Sequence, residues 1–293
     1  MLMPWPRILS AIVAIALALG MVILGGWFFT GGFGIIILLG QLEYFQMARA
    51  KGIAPATKTT LVVSQVLLVV ANLGPTLADA VFPVAGTLIC FYLLFQPKFA
   101  TIADISTSIM GLFYCGYLPS YWVRLRALGT ADQPSILENW LAGQPIAWNN
   151  PDSFPLGLSV TLLAFGCIWA ADIGAYLIGK SIGRTRLSEI SPKKTVEGAV
   201  FGVVGSIGVG LSGAWYLDWP SWPIAGASLG LMIGIASLLG DLTESMMKRD
   251  AGVKDSGQLI PGHGGILDRA DSYVFTAPLV FYFVILLLPL LPR

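Results

Sequence analysis

Long apolar stretches recur along this chain with almost no charge inside them, and that recurrence leaves it few ways to fold. They lie at roughly 8–25, 27–46, 60–74, 77–95, 100–121, 156–180, 197–217, 223–247 and 272–291. A helix needs about 20 mainly apolar residues to cross the hydrocarbon core of a bilayer. Only 11% of the 293 residues are charged, whereas a soluble domain carries about 25%. Such a chain lacks the polar surface to cover itself in water. The expectation is an all-α, polytopic integral membrane protein with about nine transmembrane helices. The second stretch is weakened by Gly31, Gly32, Gly34 and Gly40, and the third is short. Arg7 followed by Ile8–Gly25 resembles a signal peptide in outline. The run is long and no small-residue cleavage site follows it, so it reads as the first span. No Arg- and Ser-rich extension precedes it.

Lysine and arginine set the expected orientation. With a cytoplasmic N-terminus and nine alternating spans, all but Arg124, Arg126 and Arg293 of the 17 basic residues fall in inside loops, as the positive-inside rule requires. Three regions follow. Residues 1–125 are N-terminal helices. Residues 126–155 form a polar extracytoplasmic loop with Asp132, Pro134, Glu138 and Asn149, and with Trp140, Trp148 and Phe154 as interfacial aromatics. Residues 156–293 hold the remaining spans and two polar cytoplasmic loops, 181–196 and 249–271. Within one span Gly198, Gly202, Gly205, Gly208, Gly210 and Gly213 read as a close-packing surface, because small residues let helix backbones approach in lipid. Cys90, Cys115 and Cys167 have apolar neighbours and no CxxC spacing, so they are expected to be buried small hydrophobes rather than disulfides or zinc ligands.

The polar stretch Asp241–Asp271 breaks the pattern. It holds Lys248, Arg249, Lys254 and Arg269, six carboxylates (Asp241, Glu244, Asp250, Asp255, Asp268, Asp271) and the only histidine, His263. If 223–248 is one helix, Asp241, Glu244, Ser245 and Lys248 share a face. Asp241 follows an apolar run, and an intramembrane carboxylate is a functional candidate by default. A glycine-rich loop comes next, containing Gly252, Gly257, Gly262, Gly264 and Gly265. Glycines let backbone N–H groups approach an anion, as does a helix start. Asp268 and Asp271 then sit near the start of the last helix. Carboxylates at two helix ends with basic groups between them suit a hard cation and phosphates. His263 is either a phosphate donor or general base, or a turn residue bonded to backbone; the pattern leaves both open.

A second constellation lies at the sixth span. Asp172 and Tyr176 sit at i and i+4, and the loop after them runs SIGRTRLSEISPKKTVEG. Lys193 and Lys194, beside Thr195 at a helix entrance, suit a polyphosphate.

The segment SMMKRDAGVKDSGQLIPGHGGILDRAD resembles along its whole length the signature of the phosphatidate cytidylyltransferases, or CDP-diacylglycerol synthases. The matching positions are Ser245, Lys248-Arg249, Lys254-Asp255, His263-Gly264-Gly265, Asp268-Arg269 and Asp271. DIGAYLIGKSIGRTRLSEISPKKTVEG is also similar to the family, so the resemblance covers about 165–275. EYFQMARAKGIAP looks like members from cyanobacteria and plastids.

The resemblance implies transfer of CMP from CTP to phosphatidate, giving CDP-diacylglycerol and pyrophosphate, with Mg2+ as cofactor and a possible second cation. It implies metal ligation by Asp241, Asp268 and Asp271, with Lys248 and His263 completing the catalytic set. Lys193, Lys194, Thr195, Ser245, Arg249, Lys254, Gly264, Gly265, Arg269, Asp172 and Tyr176 become the expected substrate contacts. Asp172 would order the site or hold the second cation. Partners are CTP, phosphatidate and the lipid bilayer. No nucleic acid is expected, and a homodimer is left open. The expected location is a bacterial plasma membrane with the site facing the cytoplasm. Two rivals share these features. One is a CTP-dependent lipid phosphotransferase of the polyprenol kinase type. The other is an ion-coupled transporter, to which intramembrane Asp172 and Asp241 would also suit. Against the transporter, the charges gather at helix ends with no counterpart in a second half.

Overall fold

The computed structural model describes residues 5–129, 154–259 and 264–292, with side chains described for all of these except 5–11, 75 and 76. Helices occupy every apolar stretch named above: α1 (Trp5–Leu24), α2 (Gly26–Ala50), α3 (Thr57–Leu73), α4 (Pro75–Leu94), α5 (Ile102–Leu112), α6 (Leu118–Arg126), α7 (Leu156–Ile182), α8 (Val196–Tyr216), α9 (Trp222–Asp250), α10 (Leu267–Val274) and α11 (Thr276–Tyr282). Among the described residues there is no β-strand; Arg186 and Thr195 form an isolated antiparallel bridge. The chain is all-α, as its apolar periodicity requires. Most of the expected 126–155 loop and Arg293 lie outside the described residues.

Among the described residues, six segments are long and apolar enough to cross a membrane: Gly26–Ala50, Leu77–Leu94, Leu156–Ile182, Val196–Tyr216, Trp222–Asp250 and Leu267–Leu290. Thr57–Leu73 is a shorter apolar helix, and the Ile12–Leu24 part of α1 is apolar as well. The fifth expected span is not one uniform helix. A π-helical turn, Phe113–Tyr117, separates α5 from α6. The backbone there presses on α3: a Cβ at Gly116 would sit 2.6 Å from Ser64 Oγ. Helices of this kind widen where packing displaces the regular hydrogen-bond ladder.

The chain divides into two compact units. The first contains Met1–Arg124 and Met247–Ala270. Its apolar core includes Ala56, Ala85, Ile89, Leu93 and Leu112, but much of its cohesion is polar. Gln41 Nε2 donates to Ser64 Oγ (2.9 Å) and to the Gly111 carbonyl (2.9 Å). Thr101 and Asp104 form a reciprocal capping box at the start of α5, and Asp104 Oδ1 also accepts from Ala54 N at 2.7 Å. Lys51 Nζ pairs with Asp250 Oδ1 at 2.5 Å, tying the end of α2 to the end of α9.

Arg124 and Arg126, expected in an outside loop, are instead 1% and 4% exposed within α6. Arg124 Nη1 lies 2.6 Å from Asp79 Oδ1, and its guanidinium stacks on Tyr121 at 4.1 Å and Tyr117 at 5.3 Å. A buried guanidinium persists because a carboxylate and two ring faces replace its water. Cys115 and Cys167 are buried as expected, whereas Cys90 is exposed on α4, among other exposed apolar side chains such as Leu88 and Phe91.

The second unit contains Leu125–Met246 and Asp271–Arg293. Here α8 packs between α7 and α9 through glycine. A Cβ at Gly202 would lie 2.6 Å from the Ala171 carbonyl oxygen of α7, and one at Gly198 would lie 2.7 Å from that of Ala175. Gly210 meets Gly226 and Gly230 of α9 in the same way, while Gly208 faces open space. The glycine run is therefore a packing surface on two sides. Backbones this close gain dispersion contacts in lipid, where no hydrophobic term drives helices together. Gly202→Val should lower the unfolding midpoint of detergent-purified protein markedly, overpacking costing about 1–3 kcal/mol or more. Gly208→Ala should leave it unchanged or raise it. Equal midpoints for the two variants would contradict this packing.

Candidate functional site

Four carboxylates on three helices of the second unit collect beside one ammonium group. α7 contributes Asp172, α9 contributes Asp241 and Glu244, and α10 contributes Asp271. Each is on a helix because the apolar periodicity runs straight through it. Asp271 is 8% exposed, Glu244 is fully buried, and Asp271 lies in the electrostatic reach of Asp241, Glu244 and Asp172. α9 can approach α10 here because Gly240 has no side chain and faces the Asp271 carbonyl. Polar neighbours support the carboxylates. Ser237 and Ser272 hydroxyls donate to Asp172 Oδ1 at 3.3 and 3.5 Å, and Ser245 Oγ donates to Asp241 Oδ1 at 3.4 Å. Lys194 forms an ion pair with Asp241 Oδ2.

Lys194 reaches Asp241 from a tightly folded loop. Leu187 N donates to the Lys194 carbonyl (2.9 Å), and Val196 N donates to the Thr185 carbonyl (2.9 Å). Thr195 caps α8 by accepting from Gly198 N at 3.2 Å, satisfying one of the N–H groups that every helix start leaves open. Glu197 folds back to accept from Thr185 N, Thr185 Oγ1 and Arg184 N. Lys193 is exposed beside them. Tyr176 is exposed and stands with Lys180, whose Nζ lies 5.6 Å from its ring centroid.

The first unit holds the other expected residues. Lys248 is 9% exposed at the end of α9, and its Nζ donates to Asp268 Oδ1 at 2.6 Å. Asp268 Oδ2 accepts from Ser256 N (2.9 Å), Ser256 Oγ (3.0 Å) and Gly265 N (2.8 Å). Four donors thus converge on a carboxylate with about four acceptor sites. Gly264 adopts φ +84°, a conformation that glycine takes without strain, and this turn lets Gly265 N point at Asp268. Arg249 is exposed and its Nη1 donates to the Val253 carbonyl at 3.1 Å. Lys254 and Arg269 are also exposed. His263 lies outside the described residues.

Two residues absent from the expected set belong to this group. Glu43 of α2 is 6% exposed. Its Oε1 accepts from Ile266 N (3.0 Å), and its Oε2 accepts from Leu267 N (2.9 Å) and Ser256 Oγ (2.9 Å). Ser256 is the second. The signal for Glu43 was present, as a carboxylate inside the apolar second stretch. Nothing local marked Ser256, an ordinary serine in a polar loop.

Chemically, the carboxylates of the second unit outnumber their ammonium partner, so the donor set suits a hard cation. Among the described residues no three His, Cys, Asp or Glu side chains converge closely enough to form a cage alone. Mg2+ does not need one, since it is usually held by one or two carboxylates together with substrate phosphates and water.

The Cytidylyltransferase family model matches residues 5–287. A phosphatidate cytidylyltransferase of Synechocystis sp. is 69% identical over 290 residues, covering 99% of each chain. Phosphatidate cytidylyltransferase 4, chloroplastic, of Arabidopsis thaliana is 43% identical over 282 residues, 93% of this chain and 71% of that one. A phosphatidate cytidylyltransferase of Staphylococcus aureus is 46% identical over 127 residues, 42% of this chain and 48% of that one. With a family model matched over nearly its whole length and a relative identical at 69% of positions, this chain belongs to the Cytidylyltransferase family.

Proposed function

We propose that this protein transfers CMP from CTP to phosphatidate, releasing pyrophosphate and leaving CDP-diacylglycerol for phospholipid synthesis. One observation carries the reading: identity of 69% over 99% of the chain to a protein named phosphatidate cytidylyltransferase. The polar groups described above supply the physical sense of it. An oxygen of the lipid phosphate attacks the α-phosphorus of CTP. A new P–O bond forms in line with the bond that breaks to the β-phosphate, and pyrophosphate leaves with that electron pair. The attacking oxygen is already ionised near neutral pH, so the obstacle is repulsion between anions rather than a missing base.

Lysine and arginine remove that obstacle. Lys248, held at 2.6 Å from Asp268, is placed by the protein rather than by substrate, and it has to share its charge between that carboxylate and a phosphate. Arg249, Lys193 and Lys194 act as further phosphate partners. Lys194 has to leave Asp241 to do so. Asp241 and Asp271, with Asp172 beside them, are the carboxylates that fit Mg2+. Asp268 is a metal candidate by its place in the motif alone, and to take a cation it has to release one of its four donors. When bound, Mg2+ supplies positive charge to the phosphate oxygens of CTP. The site faces the cytoplasm of a bacterial plasma membrane in this reading, as the lysine and arginine distribution supports.

Purified protein given phosphatidate and α-labelled CTP should place the label in lipid and release pyrophosphate, only with Mg2+. Release of CDP with phosphorylated lipid would instead indicate kinase action. Asp268→Asn should cut turnover by about 100-fold or more with folded protein still in the membrane; wild-type turnover would remove Asp268 from the metal set. His263→Ala should lose less than Asp268→Asn, and an equal, near-total loss would put His263 in the chemistry. Lys194→Met should raise the KM for CTP by about tenfold, as the loss of a charged phosphate contact predicts; an unchanged KM would leave Lys194 as a partner of Asp241 alone.

A further inference from the structure

Glu43 has no role in the chemistry above, yet it is the most completely engaged carboxylate that α2 buries. It accepts three hydrogen bonds, all from the segment that follows α9: from Ser256 Oγ, Ile266 N and Leu267 N, at 2.9, 3.0 and 2.9 Å. The segment is shaped to receive it. A Cβ at Gly257 or at Gly265 would run into the Glu43 carboxylate, so any side chain at either position would push the carboxylate away. Ile266 N and Leu267 N are the amides at the entrance of α10, where helical N–H groups lack intrahelical partners. Glu43 therefore caps α10 from another helix, where a local Ser, Thr or Asp would ordinarily do so.

Ser256 joins this cap to the motif. Its hydroxyl lies 2.9 Å from Glu43 Oε2 and 3.0 Å from Asp268 Oδ2. One hydroxyl has one proton, so it donates well to a single carboxylate at a time. Gly265 N, next to the two amides held by Glu43, donates to Asp268 Oδ2 at 2.8 Å. The same short stretch of backbone thus serves both carboxylates.

We propose that Glu43 is a positioning residue for the CMP-transfer site. It holds Ser256 and the Gly265–Leu267 backbone in the geometry that orients Asp268 toward its work. It also offers the Ser256 hydroxyl a second acceptor, so that Asp268 can give up that donor without leaving the hydroxyl orphaned. The proposal rests on the CTP-and-phosphatidate reading for its activity arm alone.

The test pairs Glu43→Gln with Ser256→Ala. In the glutamine variant an amide NH2 replaces one acceptor oxygen, so one of the donors it faces loses its partner. The expected result is a fall in kcat of about tenfold or more, with the KM for CTP held within about twofold. Glu43→Asp should restore part of the loss. Adding Ser256→Ala to Glu43→Gln should cost little further, because both act on one network. Amide exchange at Gly265, Ile266 and Leu267, measured without substrate, should speed up by about tenfold in Glu43→Gln. If that variant does not fold, Glu43→Asp carries the same measurements, with a smaller loss expected. Wild-type kcat, independent multiplication of the two single effects, or unchanged amide exchange would each overturn the proposal. Absence of CDP-diacylglycerol from the wild-type protein would overturn the functional reading instead, and the exchange measurement would still decide the role of Glu43.

Discussion

A carboxylate buried among apolar helices is tolerable only where donors surround it, and much of the polar organisation of this protein follows from that requirement. An unsatisfied polar group in a nonaqueous interior costs several kcal/mol. Asp268 meets the requirement with an ammonium, a hydroxyl and two backbone amides. Glu43 meets it with two amides and a share in the same Ser256 hydroxyl. In both cases most of the donors come from the segment between α9 and α10, with Lys248 at the end of α9 and Leu267 N at the start of α10 completing the sets, so satisfying the charges and folding that segment are coupled. Glycine enters for the same reason. Gly257 and Gly265 leave room for Glu43, and Gly264 turns the backbone so that Gly265 N reaches Asp268.

The second unit answers the same constraint differently. Its carboxylates face one another as well as hydroxyls, with Lys194 paired to Asp241. Like charges held near one another raise each other's energy, and a neighbouring ammonium lowers it. That unit is also held by backbone contact between glycines of α7, α8 and α9, which keeps the helices bearing Asp172 and Asp241 at short range. Close packing and charge placement are therefore coupled, because a wider spacing of α7 and α8 would displace the loop that carries Lys194.

Helix positions were legible in the sequence, since a run of apolar residues of bilayer length has few alternatives. The motif residues were legible too, because Lys248, Asp268 and Gly264 lie in one short segment. Glu43 was visible only as an isolated charge: its partners Ser256, Ile266 and Leu267 are more than 200 residues away, and no local period encodes a contact of that range. Arg124 and Arg126 looked like loop anchors because they follow an apolar run. The helix in fact continues through them, and Asp79, Tyr117 and Tyr121 accommodate Arg124.

The amino-acid sequence by itself determined the class of structure and the stock of chemical groups. Apolar length compels helices, and sparse charge confines the polar chemistry to a few positions. Tertiary structure alone decided how those groups are satisfied. It set Lys248 on Asp268 and Lys194 on Asp241, and brought Glu43 to the entrance of α10. The physical reason is that a hydrogen bond depends on ångström-scale placement of both partners, whereas the sequence periodicities report only which face of its own helix a residue occupies.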